Sequence, residues 1–105
     1  MKAIINGKRY DTEAPGTMTI AKASHGAYGD HAHIRETLHL TIRGTWYLAG
    51  CGGPASKYSH PAGQNCWSGG EKIIPLTADE ALEWLEQEGE TKEIERWFSR
   101  QLQDA

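Results

Sequence analysis

From Thr37 to Arg43 apolar and polar residues alternate strictly, with Leu38, Leu40 and Ile42 on one side and Thr37, His39, Thr41 and Arg43 on the other. A period of two with one apolar side predicts a half-buried strand of an antiparallel sheet. Arg43-Gly44 reads as the turn, and Trp46 and Leu48 carry the alternation back. Upstream, Ile4-Ile5-Asn6-Gly7-Lys8-Arg9-Tyr10 is a hairpin signal, because Asn-Gly supplies both positive-φ residues of a type I′ turn. Asp11 to Gly16 breaks that pairing. Thr17 to Ala23 then alternates around Met18 and Ile20 as a third strand, and Ser24 to His33, rich in Gly, His and Asp, reads as a loop.

Past Lys72-Ile73-Ile74-Pro75-Leu76, a short strand that Pro75 stops or confines to a sheet edge, the period lengthens to that of a helix. Thr77 and Glu80 have the spacing of a capping box, Ala78, Ala81, Leu82 and Leu85 form an apolar stripe, and Gly89 suits the C′ position. Gly89-Glu90 makes a tight connection to a second helix, capped by Thr91, with Ile94, Trp97, Phe98 and Leu102 along one side. Strands followed by helices predict an α+β fold. The expectation is an antiparallel sheet of four to five short strands with two C-terminal helices packed on one face. The chain reads as a single domain, β-rich over residues 1–76 and helical over 77–105.

Residues 50–71 separate two of the predicted strands and are punctuated by glycine and proline, which predicts one long loop. Tyr58 and Trp67 within it favour a packed, Ω-like conformation. The simplest reading is a surface loop pinned by its aromatics. Trp46, Trp84 and Trp97 read as core or core-edge residues, and Trp67 as an exposed one.

Charge adds an asymmetry that the net value of −3 conceals. Residues 1–70 carry seven Lys/Arg against four Asp/Glu, and residues 71–105 carry four against ten. Between Lys72 and Lys92 there are six acids and no base. Asp79, Glu83, Glu86 and Glu90 follow one another at i,i+3 or i,i+4 spacing, where like charges cost a helix ~0.2–0.5 kcal/mol per pair. The helix dipole accounts for Asp79 and Glu80 but not for the later acids. A solubilising face is the plain explanation, and a face that meets a basic partner is the functional one.

Other chemistry finds little support in the pattern. His31, His33, Cys51 and Cys66 could be assembled into a metal set, but none of the paired spacings of structural zinc sites occurs. Exposed loop histidines and two small thiols explain the same residues, so no metal and no cofactor are expected. Nothing resembling a catalytic signature surrounds Cys51, and Gly50-Cys51-Gly52-Gly53 is followed by Pro54 rather than by a phosphate-binding helix. The thin positive charge of the front argues against direct nucleic-acid binding. No run of about 20 apolar residues occurs, and the N-terminus lacks a signal-peptide core, which predicts a cytoplasmic protein.

Three segments, IINGKRYDT, ETLHLTIRGTWYLAGCGGPASKY and WSGGEKIIPLTADEALEWLE, resemble a family of small accessory proteins carried on bacterial plasmids, integrative elements and prophages. The resemblance covers Ile4 to about Glu86 and supplies no catalytic residue. It implies anti-defence cargo, anti-CRISPR proteins among it. With the charge layout, it leads to the expectation of a non-enzymatic inhibitor that binds a basic, nucleic-acid-handling surface of a host protein or ribonucleoprotein complex, a CRISPR effector foremost. The partner-binding residues would be Asp79, Glu83, Glu86 and Glu90 on the helix, with Tyr58 and Trp67 in the loop as a competing surface. A regulatory protein of the mobile element, binding DNA or a partner protein, is the alternative, and a homodimer stays open.

Overall fold

The computed structural model describes residues 1–26, 31–63 and 66–105, with 61–63 and 66–68 described by their backbone alone. Strands β1 (Lys2–Ile5) and β2 (Lys8–Asp11) form an N-terminal hairpin, in which Asn6 (φ 51°) and Gly7 (φ 77°) take the two left-handed turn positions that Asn-Gly predicts. Next come β3 (Met18–His25), β4 (Ile34–Leu40) and β5 (Trp46–Gly52), then a small hairpin of β6 (His60–Gly63) and β7 (Cys66–Ser68). The chain returns through β8 (Gly70–Leu76) and closes with helices α1 (Ala78–Gln87) and α2 (Thr91–Phe98). The main sheet has the order β3-β4-β5-β8 and is antiparallel throughout. The α+β architecture with both helices on one face is the expected one.

The alternation along β4 and β5 decides which layer each side chain joins. Leu38, Leu40, Trp46 and Leu48 face the helices and meet Ala81, Trp84, Leu85 and Phe98 in the main core. Trp46 stacks on Phe98 at 5.3 Å between ring centroids and takes Trp97 edge-on at 6.2 Å. On the other face Tyr47, Ala49 and Ile73 are covered by Tyr10 of the N-terminal hairpin, with Ala3 and Ile5 beside it. The sheet therefore lies between two helices and a hairpin. β8 is an edge strand, which accommodates Pro75. No helix among the described residues is long and apolar enough to cross a membrane.

Several local expectations change. Ile42 does not continue the β4 face. Leu40 pairs with Trp46, so Ile42 falls in the intervening turn and is 79% exposed. Residues 50–71 are not one loop. β5 runs on through Gly50, Cys51 and Gly52, which pair with Glu36, Arg35 and Ile34 on one side and with Lys72, Glu71 and Gly70 on the other. Among the described residues the longest irregular stretch between β5 and β8 is 53–59, ahead of the β6–β7 pair.

The capping box forms as predicted: Glu80 N–H donates to Thr77 Oγ1 at 3.1 Å and Thr77 N–H to Glu80 Oε1 at 2.8 Å. The buried stripe of α1 is Ala81, Trp84 and Leu85, with Leu82 half-buried, while Ala78 is exposed in the first turn. Thr91 does not cap α2. Glu90 holds the N-cap position and makes no side-chain capping bond there. α2 ends at Phe98 and tightens into a 3₁₀ turn, Ser99–Gln101, which takes Leu102 off the helical period and leaves it exposed.

Candidate functional site

Three arrangements stand out: the outer face of α1, a buried carboxylate beneath it, and a hollow on the far side of the sheet. On α1, Asp79, Glu83 and Glu86 all point away from Ala81, Trp84 and Leu85 and are exposed. Among the described residues none of the three forms an ion pair. Glu90 does not belong to this face. The helix has ended before it, and Glu90 is half-buried in the connection to α2, its N–H donating to the Leu85 carbonyl. Glu88, which the dipole left unexplained, meets Nε2 of His25 at the end of β3. Beside the acidic face lies a hollow of about 180 Å³ whose lining combines Leu48, Leu76 and Trp84 with Lys57, Glu80, Glu83 and Gln87.

Tyr58 is not a docking residue. It is 2% exposed, its ring lies over Gly50, and its hydroxyl donates to Glu36 Oε2 at 2.6 Å. Glu36 has the same parity as Leu38 and Leu40 on β4 and so enters the helix side of the sheet, where it is 6% exposed. Its other oxygen accepts Trp84 Nε1–H at 3.2 Å, and Lys57 Nζ approaches Oε2 at 2.6 Å. Burial alone would raise the Glu36 pKa. The donors Lys57, Tyr58 and Trp84 outweigh it and hold the carboxyl below its ordinary value. The phenol of Tyr58 is pushed well above its ordinary value by burial and by the adjoining carboxylate. A charge this fully matched fixes the 53–59 segment and α1 to β4. It is a brace between elements, with no group poised to react.

The sequence held the signal for Glu36, a carboxylate in phase with two buried leucines. Its partners lie 21, 22 and 48 residues away and could not be paired from spacing. The side chains of Trp67 and Cys66, both singled out from the sequence, lie outside the described residues, whereas Cys51 is a half-buried free thiol. Among the described residues no group of three or more His, Cys, Asp or Glu could hold a metal ion.

On the face away from the helices the register sets side chains in rows across the strands. Thr19, His39 and Tyr47 make one row, Lys22, Thr37 and Ala49 the next, and Ser24, Arg35, Cys51 and Glu71 the third. His39 is buried between Thr19 Oγ1, 3.3 Å from Nδ1, and Thr37 Oγ1, 2.7 Å from Nε2. The Thr37 hydroxyl is also within hydrogen-bond distance of the Ala49 carbonyl, to which it can donate at 3.2 Å. Both ring nitrogens of His39 thus have a hydroxyl partner. Burial, with the Met1 ammonium adding to it, keeps the imidazole pKa below its ordinary value. The ring also stacks on Tyr47, 5.1 Å between centroids. Above these rows, beside the N-terminal hairpin, is a hollow of about 640 Å³.

No family model, no curated protein and no solved structure matches the chain.

Proposed function

We propose that this protein is a non-enzymatic inhibitor that docks through the outer face of α1 onto a basic, nucleic-acid-handling surface of a host complex, an anti-CRISPR role being the leading version. The observation that supports this reading is the exposed trio Asp79, Glu83 and Glu86, in no ion pair among the described residues and held on a helix anchored to the core by Trp84 and Leu85. The adjoining hollow adds Glu80 and Glu83 as acceptors for a lysine or arginine of the partner, and the base in its lining, Lys57, is already held by Glu36. The choice of an anti-defence partner rests on the resemblance to mobile-element proteins. A surface that normally holds phosphate is the natural complement of clustered carboxylates.

The test is a double charge reversal, Glu83→Lys with Glu86→Lys, on a helix side that carries no core contact. The variant should keep the wild-type melting temperature. It should lose at least about tenfold in affinity for a captured effector complex, and wild-type binding should weaken as salt rises. Capture from host lysate with mass spectrometry identifies the partner. CRISPR effector subunits support the leading version, while a relaxase or repressor would replace it with the regulatory one. Equal inhibition by the double variant and the wild type would reduce the acidic face to a solubilising surface.

A further inference from the structure

We propose that the hollow on the sheet face opposite the helices is a binding site for a small aromatic carboxylate, independent of the docking face on α1. Its volume of about 640 Å³ lies within the range of roughly 300–1,000 Å³ typical of small-molecule sites. It is lined mostly by apolar surface. The N-terminal hairpin covers Tyr47, Ala49 and Ile73 and stops short of β3, so Thr12 of the hairpin end forms one wall and the open rows of β3 and β4 form the floor.

The floor is flat, as a sheet face must be, and it is already rigid. Thr19, His39, Thr37 and the Ala49 carbonyl satisfy one another in an unbroken line, with Tyr47 stacked against the imidazole. No polar group on this line needs a ligand to complete it, and none has to be reoriented when one arrives. A planar ring laid across the half-buried Thr37 and Cys51 positions would cover the open part of the lining at little ordering cost.

Charge gives the ligand its sign and its direction. Lys22, next to Thr37 on the β3 edge, is exposed and forms no ion pair among the described residues. The acid of the lining that lies on this face, Glu71, is on β8 at the opposite margin, three strands away from Lys22. An anionic group is thus drawn toward β3 and repelled from β8. The ring would lie over Thr37 and Cys51, both half-buried in the lining, and its carboxylate would reach Lys22.

Titration of the isotope-labelled full chain with 2-naphthoate, followed by amide chemical shifts, tests the site. We expect saturable shifts at Lys22, Thr37, His39 and Cys51, binding at about millimolar or tighter, and no response at Glu83 or Glu86. Lys22→Glu should weaken binding at least about fivefold without disturbing the remaining spectrum. Ser24→Phe, at an exposed position on the rim, should abolish it by occupying the hollow. A cationic control, 2-naphthylmethylammonium, should bind more weakly than the carboxylate, and inorganic phosphate alone should not bind. Equal affinity for the cation and the anion, or an unchanged affinity in Lys22→Glu, would overturn the proposal, as would shifts confined to other faces. Phosphate shifting the same residues as well as naphthoate does would overturn the assignment to an aromatic ligand.

Discussion

His39 shows how one residue can tie stability to pH. Its folded-state pKa lies below the ordinary 6.5, first because it is buried and then because of the Met1 ammonium. Between that folded value and 6.5 the unfolded chain binds more protons than the folded one. Stability must therefore rise with pH across this window and be lost as pH falls through it. Glu36 acts in the same sense lower down, since its depressed pKa contributes stability above about 4.5 that is lost as the pH drops through its folded value. Urea unfolding at a series of pH values should show two acid-side declines, the upper beginning near pH 6.5. The variant His39→Gln should flatten the upper decline and leave the lower. A wild-type stability that is level between pH 7 and pH 5 would contradict the buried, neutral assignment.

Among the elements, β5 departs furthest from what its sequence suggests. A strand carrying Gly50, Gly52 and then Gly53-Pro54 reads as the mouth of a loop, because glycine weakens strands and proline ends them. What reverses that reading is packing. A Cβ on Gly50 would lie 2.3 Å from the Tyr58 ring and 2.9 Å from the Arg35 carbonyl, so the glycine is the recess into which Tyr58 fits. Tyr58 cannot withdraw without giving up its bond to Glu36. Gly50→Ala should therefore cost about 1–3 kcal/mol, measured by denaturant midpoint at constant slope, although an alanine in a true loop would be nearly neutral. The elements legible beforehand were those specified within a few residues: the Asn6-Gly7 turn, the alternation of β4, and the Thr77–Glu80 box. Those that stayed hidden depend on distant partners. Gly50 looks like freedom until Tyr58 is placed over it, and Ile42 looks like core until the pairing of Leu40 with Trp46 ends the strand. The candidate site was legible to the same degree. The acids of α1 stood out as a run, but the end of the helix before Glu90 and the burial of Tyr58 follow only from the tertiary packing.

At the scale of the whole molecule the sheet separates two unlike surfaces, and the brace at Glu36 reaches across only one of them. Because a single carboxylate holds Lys57 and Tyr58 from residues 53–59 and Trp84 from α1, the departure of either piece takes away donors that the buried charge on β4 relies on. The two pieces should consequently open as one cooperative unit. Amide hydrogen exchange offers a direct reading of this. Protected amides in the 53–59 segment and in the second half of α1 should share one opening free energy, distinct from that of the N-terminal hairpin on the opposite face. Tyr58→Phe removes one hydrogen bond to a charged acceptor, worth about 1.5–3 kcal/mol, and should accelerate exchange in both pieces together while leaving β1 and β2 unchanged. Faster exchange in the 53–59 segment alone would mean that the brace only joins neighbours. Exchange that rises in both would make the helix carrying the acidic face subject to the state of a segment on a different part of the chain, so a ligand or modification that loosened Lys57 would also change how firmly that face is held.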